Sequence, residues 1–145
     1  VIKLQMRRKF EMEKIAQQEP MGCGIACVAS VTKKPYNIAK GLFEKPENAA
    51  LKGYYCNDLI RALSKKGLNY EYSKVNSRNK ALANEEGSIV FIKRSKKYPE
   101  GHFLLKTSEG WMNPWINFPK ITPAKAGFQK KLPGVAQWII YKKLK

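Results

Sequence analysis

The chain carries, between residues 17 and 31, the sequence QQEPMGCGIACVASV, a polar loop that leads into a short apolar run. Pro20 and Gly22 interrupt regular structure, so the loop ends at the first cysteine. Residues 23–31 are small and apolar, a composition that fits a helix buried on most sides. A lysine pair and a proline at residues 33–35 close this helix. The stretch therefore predicts a central helix with a cysteine in its first turn.

Outward from this helix, the other helical patterns lie in the first half of the chain and the strand patterns in the second. Residues 37–43 predict a short helix, and residues 57–66 predict a clearer one, with apolar residues at helical spacing and Gly67 at its end. The predicted strands are residues 70–72, 88–92, 102–106, 111–113 and 137–141, with a hairpin turn at 108–110. This order predicts an α+β fold in which N-terminal helices pack on a C-terminal antiparallel sheet.

Length and composition fit one domain. With 145 residues, of which 43% are hydrophobic, the chain can form a single core. We expect residues 1–16 to be an N-terminal arm or short helix and residues 17–145 to be the folded domain. No apolar run approaches the roughly 20 residues needed to cross a bilayer, so we expect no stable membrane insertion. Residues 1–8 lack the apolar stretch of a signal peptide.

Charge is the most unusual bulk feature. Lysine and arginine number 28 against 11 acidic residues, which gives a net charge of +17. This excess describes either a highly soluble surface or a chain that meets an anionic partner, and we favour the partner. Most of the basic residues are lysines, which suit diffuse attraction to phosphate better than the reading of base edges. Trp111, Trp115 and Trp138 could stack on nucleic-acid bases, although aromatic residues on strands usually belong to the core.

The single histidine, His102, opens a predicted strand after a long loop. A lone histidine on an apolar strand is usually structural. Here, however, Asn113 stands one hairpin later, where its side chain could accept a hydrogen bond from the far ring nitrogen. That bond would fix the tautomer and orientation of the imidazole, which then needs only a nucleophile at the other nitrogen.

Cys23 is the candidate nucleophile. The partial positive charge of a helix N-terminus lowers a thiol pKa, and a nearby imidazolium lowers it further. The backbone N–H of Cys23 is free to donate to an oxyanion, and Gln17 could supply a second donor from its side-chain amide. The alternative for Cys23 is a small, buried hydrophobic side chain.

The three cysteines form no CxxC pair, which argues against a disulfide scaffold and for a reducing compartment, a cytoplasm, as the place of action. Cys23 and Cys27 with His102 offer three metal ligands and no fourth. We therefore expect no metal and no cofactor, and we expect Cys27 to face the core.

The block from Gln17 to Cys27 resembles the Gln-x5-Cys-Gly-x-Ala-Cys motif of the bacteriocin-processing (double-glycine leader) peptidases, a papain-like family. The resemblance continues through residues 58–63 and 67–68, then 101–103 and the pair Asn113-Pro114. It implies a papain-like catalytic domain over residues 17–145, with Cys23 as nucleophile and His102 as general base and acid. It also implies Asn113 as the orienting group and Gln17 as the oxyanion donor.

Two positions differ from the family pattern. The family usually has aspartate before the cysteine, where this chain has Gly22, and Asp-Pro where this chain has Asn113-Pro114. Neither change removes a thiol–imidazole mechanism, because the orienting group need only accept one hydrogen bond.

Three functions follow from these features. The first is hydrolysis of amide bonds by a cysteine peptidase, plausible as a bacterial toxin or effector domain that is secreted or delivered within a larger protein and held by an acidic immunity or inhibitor protein. The second is a papain-fold toxin that cleaves tRNA or rRNA, to which strong basicity is suited. The third is a degenerate papain-like module that binds anionic partners without catalysis.

Overall fold

The apolar run after the loop forms a helix, as its composition predicts. In the computed structural model, which describes residues 11–120 and 123–143, helix α1 spans Cys23–Thr32, and its residues 24–31 are all buried. A Cβ at Gly24 would lie 2.9 Å from Leu59 Cδ1 and 3.4 Å from Phe103 Cδ2. The absence of a side chain at Gly24 therefore lets α1 approach both of these neighbours closely.

Three further α-helices follow α1 in the chain: α2 (Tyr36–Lys40), α3 (Asn48–Leu51) and α4 (Cys56–Ser64). The predicted helices at 37–43 and 57–66 are confirmed as α2 and α4. In α4 the Tyr55 N–H donates to Asp58 Oδ2 over 2.8 Å, which caps the first turn. Helix α3 was not predicted, because four residues are too few to show a period.

The described residues form one six-stranded sheet. Its strands are β1 (Tyr70–Lys74), β2 (Ile89–Ile92), β3 (His102–Thr107), β4 (Gly110–Asn113), β5 (Gly127–Gln129) and β6 (Ala136–Lys142). They lie in the order β1-β6-β2-β3-β4-β5, and every neighbouring pair is antiparallel. The α+β layout with an antiparallel sheet is thus confirmed, while the three-residue strand β5 was not predicted.

Both faces of the sheet are covered. Side chains such as Phe103, Leu105 and Met112 join the helices in the larger apolar cluster. Alternate residues such as Leu104 and Trp111 face a smaller cluster that includes Ala83, from the 3-10 helix Lys80–Asn84. Because successive side chains of a strand point to opposite faces of the sheet, the same strands contribute to both apolar clusters.

The predicted N-terminal arm or short helix falls partly on residues 1–10, which lie outside the described residues. Residues 12–17 form neither helix nor strand, and the boundary between residues 16 and 17 stays a prediction. Within the described ranges, no helix combines the length and apolar character needed to span a bilayer.

Two glycines with the same φ angle allow a test of how tightly the chain is packed just before β3. Gly101 and Gly67 both have φ near +75°, but a Cβ at Gly101 would overlap the Phe91 ring and lie 2.9 Å from the Ile92 carbonyl oxygen, whereas one at Gly67 would meet open space. We expect Gly67→Ala to cost about 1 kcal/mol from backbone strain. Gly101→Ala should cost about 3 kcal/mol, because overpacking adds to that strain. Urea unfolding measures both, and equal losses would contradict the expected packing.

Candidate active site

Polar contacts from three residues, Gln17, Glu19 and Met21, hold the loop before α1 in place. The Gln17 N–H donates to the Pro114 carbonyl over 3.2 Å, and the Met21 N–H donates to the Ala49 carbonyl over 2.8 Å. The Glu19 carboxylate accepts from the Tyr36 hydroxyl and pairs with the Lys40 ammonium. These bonds fix the approach of the chain to Cys23.

Asn113 fixes the orientation of the imidazole. The backbone N–H of Trp115 can only donate, and it donates to Asn113 Oδ1 over 2.9 Å. This atom of Asn113 is therefore the amide oxygen, an acceptor. Asn113 Nδ2 donates to the Tyr98 hydroxyl oxygen over 3.0 Å and to Gln129 Oε1 over 2.8 Å. His102 Nε2 lies 2.7 Å from Asn113 Oδ1 and must therefore carry the proton. In the neutral ring, Nδ1 is then the free base.

Cys23 lies in the first turn of α1, and His102 is the first residue of β3. Both residues line one cleft of about 1370 Å³. The thiol lies within reach of the backbone N–H groups of Phe103, Gly24 and Cys23 itself, which favour the thiolate. Burial outweighs them and raises the pKa of Cys23 to about 11. Burial also lowers the pKa of His102 to about 4, although the hydrogen bond with Asn113 favours its charged form.

The pKa of Cys23 therefore shifts in the opposite direction from the one expected at a helix N-terminus. The helix N-terminus does present its amides to the sulfur, but desolvation of the thiol is the larger effect. Both shifts favour a neutral thiol and a neutral imidazole over an ion pair in the free protein.

The Gln17 side chain is hydrogen-bonded within its own loop. Its side-chain amide donates to the Glu19 carbonyl over 3.0 Å and to the Pro20 carbonyl over 2.9 Å, which uses both of its hydrogens. Among the described residues, Gln17 lines a separate cavity of about 1040 Å³, and its Oε1 is buried without a hydrogen-bond partner. In this state its amide supports the loop, and its role as oxyanion donor stays a prediction.

The sequence analysis missed three residues that hold the centre together. Trp115 and Gln129 orient the Asn113 amide, and Tyr98 stacks on His102 with ring centroids 4.4 Å apart. Because Trp115 follows Asn113 by only two residues, the sequence could have indicated that its backbone lies near the Asn113 side chain. Gln129 comes 16 residues after Asn113, and Tyr98, although only four residues before His102, lies in a loop whose path no sequence pattern predicts.

Gly22 has a structural reason. A side chain at this position would overlap the Tyr36 hydroxyl. The helix accordingly begins without a side-chain cap. Glycine at position 22 thus leaves room for the Tyr36 hydroxyl, which, with Lys40, binds the Glu19 carboxylate.

Cys27 is buried in the core, as expected, and all three cysteines carry free thiols. Across the part of the chain that the structure describes, no three acidic, cysteine or histidine side chains are grouped to hold a metal ion.

A free thiol at the start of a buried helix, beside an imidazole oriented by an amide, defines the class of papain-like cysteine hydrolases. Residues 11–131 match the family model described as the peptidase C39 family. None of the curated proteins matches the chain significantly. The chain belongs to the peptidase C39 family, which confirms the resemblance to the bacteriocin-processing peptidases, and it is a cysteine-dependent hydrolase.

The fold is also found in a solved structure, that of the peptidase domain of Streptococcus ComA, a bifunctional ABC transporter involved in a quorum sensing pathway. The match has a TM-score of 0.52 and 14% sequence identity, and it covers 91% of this chain and 99% of that chain. At this identity the likeness concerns the fold alone.

The neutral thiol–imidazole pair predicts the pH dependence of alkylation. Because the pKa of Cys23 is about 11, its thiolate fraction should rise about tenfold per pH unit between pH 6 and pH 9. In a Cys27→Ala, Cys56→Ala variant, the rate of iodoacetamide labelling followed by mass spectrometry should rise in the same way. A rate that is already at its plateau at pH 6 would instead reveal a preformed ion pair.

The contact between Gly22 and Tyr36 predicts a coupled pair of substitutions. Gly22→Ala should destabilise the protein by about 1–3 kcal/mol because the Tyr36 hydroxyl must move. In a Tyr36→Phe background the same change should cost about 1 kcal/mol less, since the overlapping oxygen is gone. The coupling free energy follows from urea unfolding of the wild type, Gly22→Ala, Tyr36→Phe and the double variant. Gly41→Ala, whose Cβ would meet only backbone carbonyls, should be additive with Tyr36→Phe.

Proposed function

We propose that this chain hydrolyses peptide bonds with Cys23 as nucleophile, His102 as general base and acid, and Asn113 as the orienting group. The observation that carries the proposal is the Asn113–His102 hydrogen bond, whose direction leaves Nδ1 as the free base in the cleft that Cys23 lines. The thiol sulfur attacks the carbonyl carbon while its proton passes to His102 Nδ1. The imidazolium then returns this proton to the leaving amine, and water hydrolyses the acyl-enzyme.

The oxyanion that forms during the attack needs hydrogen-bond donors. The backbone N–H of Cys23 is one, because a first-turn amide has no partner within the helix. Gln17 would become a second donor only if its amide left the Glu19 or Pro20 carbonyl. We propose that substrate binding makes this exchange, and Gln17→Ala should then lower kcat and also loosen the loop.

The cleft supports an extended peptide as substrate. Its aromatic lining consists of Phe43, Tyr54, Tyr55, Tyr72, Phe91, Tyr98, Phe103, Trp115, Phe118 and Trp138. Tyr55 is 84% exposed, so the wall near α4 offers apolar surface to a ligand. The family resemblance makes a peptide with a double-glycine cleavage site the first substrate to test.

RNA cleavage is less well supported than peptide cleavage. His102 is buried with Nε2 committed to Asn113, and Trp111 and Trp115 are buried, which withdraws them from base stacking. The net charge of +17 still favours an anionic partner. Delivery as a toxin, an acidic immunity protein and a cytoplasmic site of action all stay predictions, as does a non-catalytic binding role.

Substitution of the three residues tests the mechanism. Cys23→Ala and His102→Ala should each abolish hydrolysis of a double-glycine peptide, because each removes a group that makes or breaks bonds. Asn113→Ala should lower kcat less, by about 10- to 100-fold, because it orients the base without reacting. Circular dichroism checks that each variant keeps its fold.

A second assay separates peptide from RNA chemistry. A peptide aldehyde should form a covalent adduct with Cys23, visible by mass spectrometry, while total cellular RNA incubated with the wild-type protein stays intact on a gel. Discrete RNA fragments that disappear in His102→Ala, with no aldehyde adduct, would overturn the proposal in favour of a ribonuclease.

A further inference from the structure

Tyr98 contacts both members of the His102–Asn113 pair. Its ring is stacked on the imidazole, with centroids 4.4 Å apart and planes inclined by 10°. Its hydroxyl oxygen accepts from Asn113 Nδ2 over 3.0 Å, and the hydroxyl donates to the Trp115 carbonyl over 3.2 Å. One side chain thus covers the face of the base and supports the group that orients it.

Hydrogen bonds within the loop between β2 and β3 hold the backbone of Tyr98, whose side chain points into the protein. The Ser95 N–H and the Gly101 N–H both donate to the Tyr98 carbonyl, each over 3.0 Å. The Tyr98 N–H donates to Ser95 Oγ over 3.1 Å. Neighbouring Lys96 and Lys97 are exposed, whereas Tyr98 is only 2% exposed and also packs on Phe118. Tyr98 is therefore held in place from the backbone as well as from its ring.

A single hydrogen bond does not fix an imidazole completely. The Nε2–H···Oδ1 bond leaves the ring of His102 free to swing about the line that joins the two atoms, which carries Nδ1 away from the thiol. A flat ring packed against the imidazole face blocks that swing. Small displacements of a catalytic group from its productive geometry can reduce the rate by two orders of magnitude.

We propose that Tyr98 is a positioning residue that holds the imidazole of His102 in the plane from which Nδ1 reaches the Cys23 thiol. The inference rests on the proposed role of His102 as general base. Tyr98 does not touch the reacting bond and acts only through His102 and Asn113. It also shields the imidazole from water, in keeping with the burial that lowers the pKa of His102.

The Tyr98 ring from the loop stacks on His102, the Asn113 amide from β4 is bonded to it, and Cys23 of α1 lines the same cleft. The nearest charge given for this loop is Lys97, whose Nζ lies 5.8 Å from the centroid of the Tyr98 ring. Among the described residues, no charged side chain is hydrogen-bonded to the imidazole. A change in its titration after substitution of Tyr98 therefore reports lost shielding and lost orientation.

The chain has a single histidine, so its imidazole signals can be assigned without ambiguity. We would record ¹⁵N and ¹³C NMR spectra of the full chain for the wild type, Tyr98→Phe and Tyr98→Met, and measure kcat and KM for a double-glycine peptide. Methionine fills the space of the ring without offering a flat face, and phenylalanine keeps the ring without the hydroxyl. Tyr70→Met is the matched control, because Tyr70 is also buried and bonded through its hydroxyl, to the Gly87 carbonyl.

The wild type should show the Nε2–H tautomer at pH 7 and a titration near pH 4. In Tyr98→Met the two tautomers should mix and the midpoint should move toward 6.5, while kcat falls by about 10- to 100-fold and KM changes by less than about threefold. Tyr98→Phe should keep the wild-type tautomer and lose less than about fivefold in kcat. Tyr70→Met should leave the histidine spectrum and kcat unchanged.

A wild-type histidine spectrum in Tyr98→Met would overturn the proposal, and so would an equal spectral change in Tyr70→Met. If Tyr98→Met does not fold, Tyr98→Phe decides, because mixed tautomers in that variant would assign the effect to the hydroxyl instead of the stacked ring. The spectra need no substrate, so they test Tyr98 even if Cys23→Ala retains activity and the proposed function fails.

Discussion

At Gly24 the backbone of α1 lies against Leu59 of α4 and Phe103 of β3, with no room for a side chain between them. This contact sets the distance between the first turn of the helix and the first residues of β3. Cys23 precedes Gly24, and His102 precedes Phe103, so the packing of the two inner residues brings the two outer ones to one cleft. The candidate site is thus a consequence of how the core closes.

The buried position that the core gives the site has an electrostatic cost. Desolvation raises the pKa of the Cys23 thiol and lowers that of the His102 imidazole, and both shifts favour a neutral pair. Asn113 compensates by fixing which nitrogen carries the proton, and Trp115, Tyr98 and Gln129 fix Asn113 in turn. Reactivity at this site therefore depends on orientation more than on a preformed charge.

Local patterns in the sequence predicted those elements whose residues are consecutive. The small apolar run predicted α1, the apolar spacing predicted α4, and alternating or continuous β-branched and aromatic residues predicted most of the strands. Helix α3 and strand β5 escaped because they have four and three residues and depend on their neighbours for stability. The fold class needed only the order of the stronger elements, and that order was correct.

The sequence by itself determined that Cys23 starts a buried helix, that His102 is the single histidine and that Asn113 follows one hairpin later, because each fact is local. Only the tertiary structure decided the protonation of the pair, since desolvation depends on everything packed around a group. It also decided that the Gln17 amide bonds to its own loop and that Tyr98 covers the imidazole. The residues in these contacts are only two to four positions apart, but the contacts depend on how the loops fold and pack, which no local pattern records.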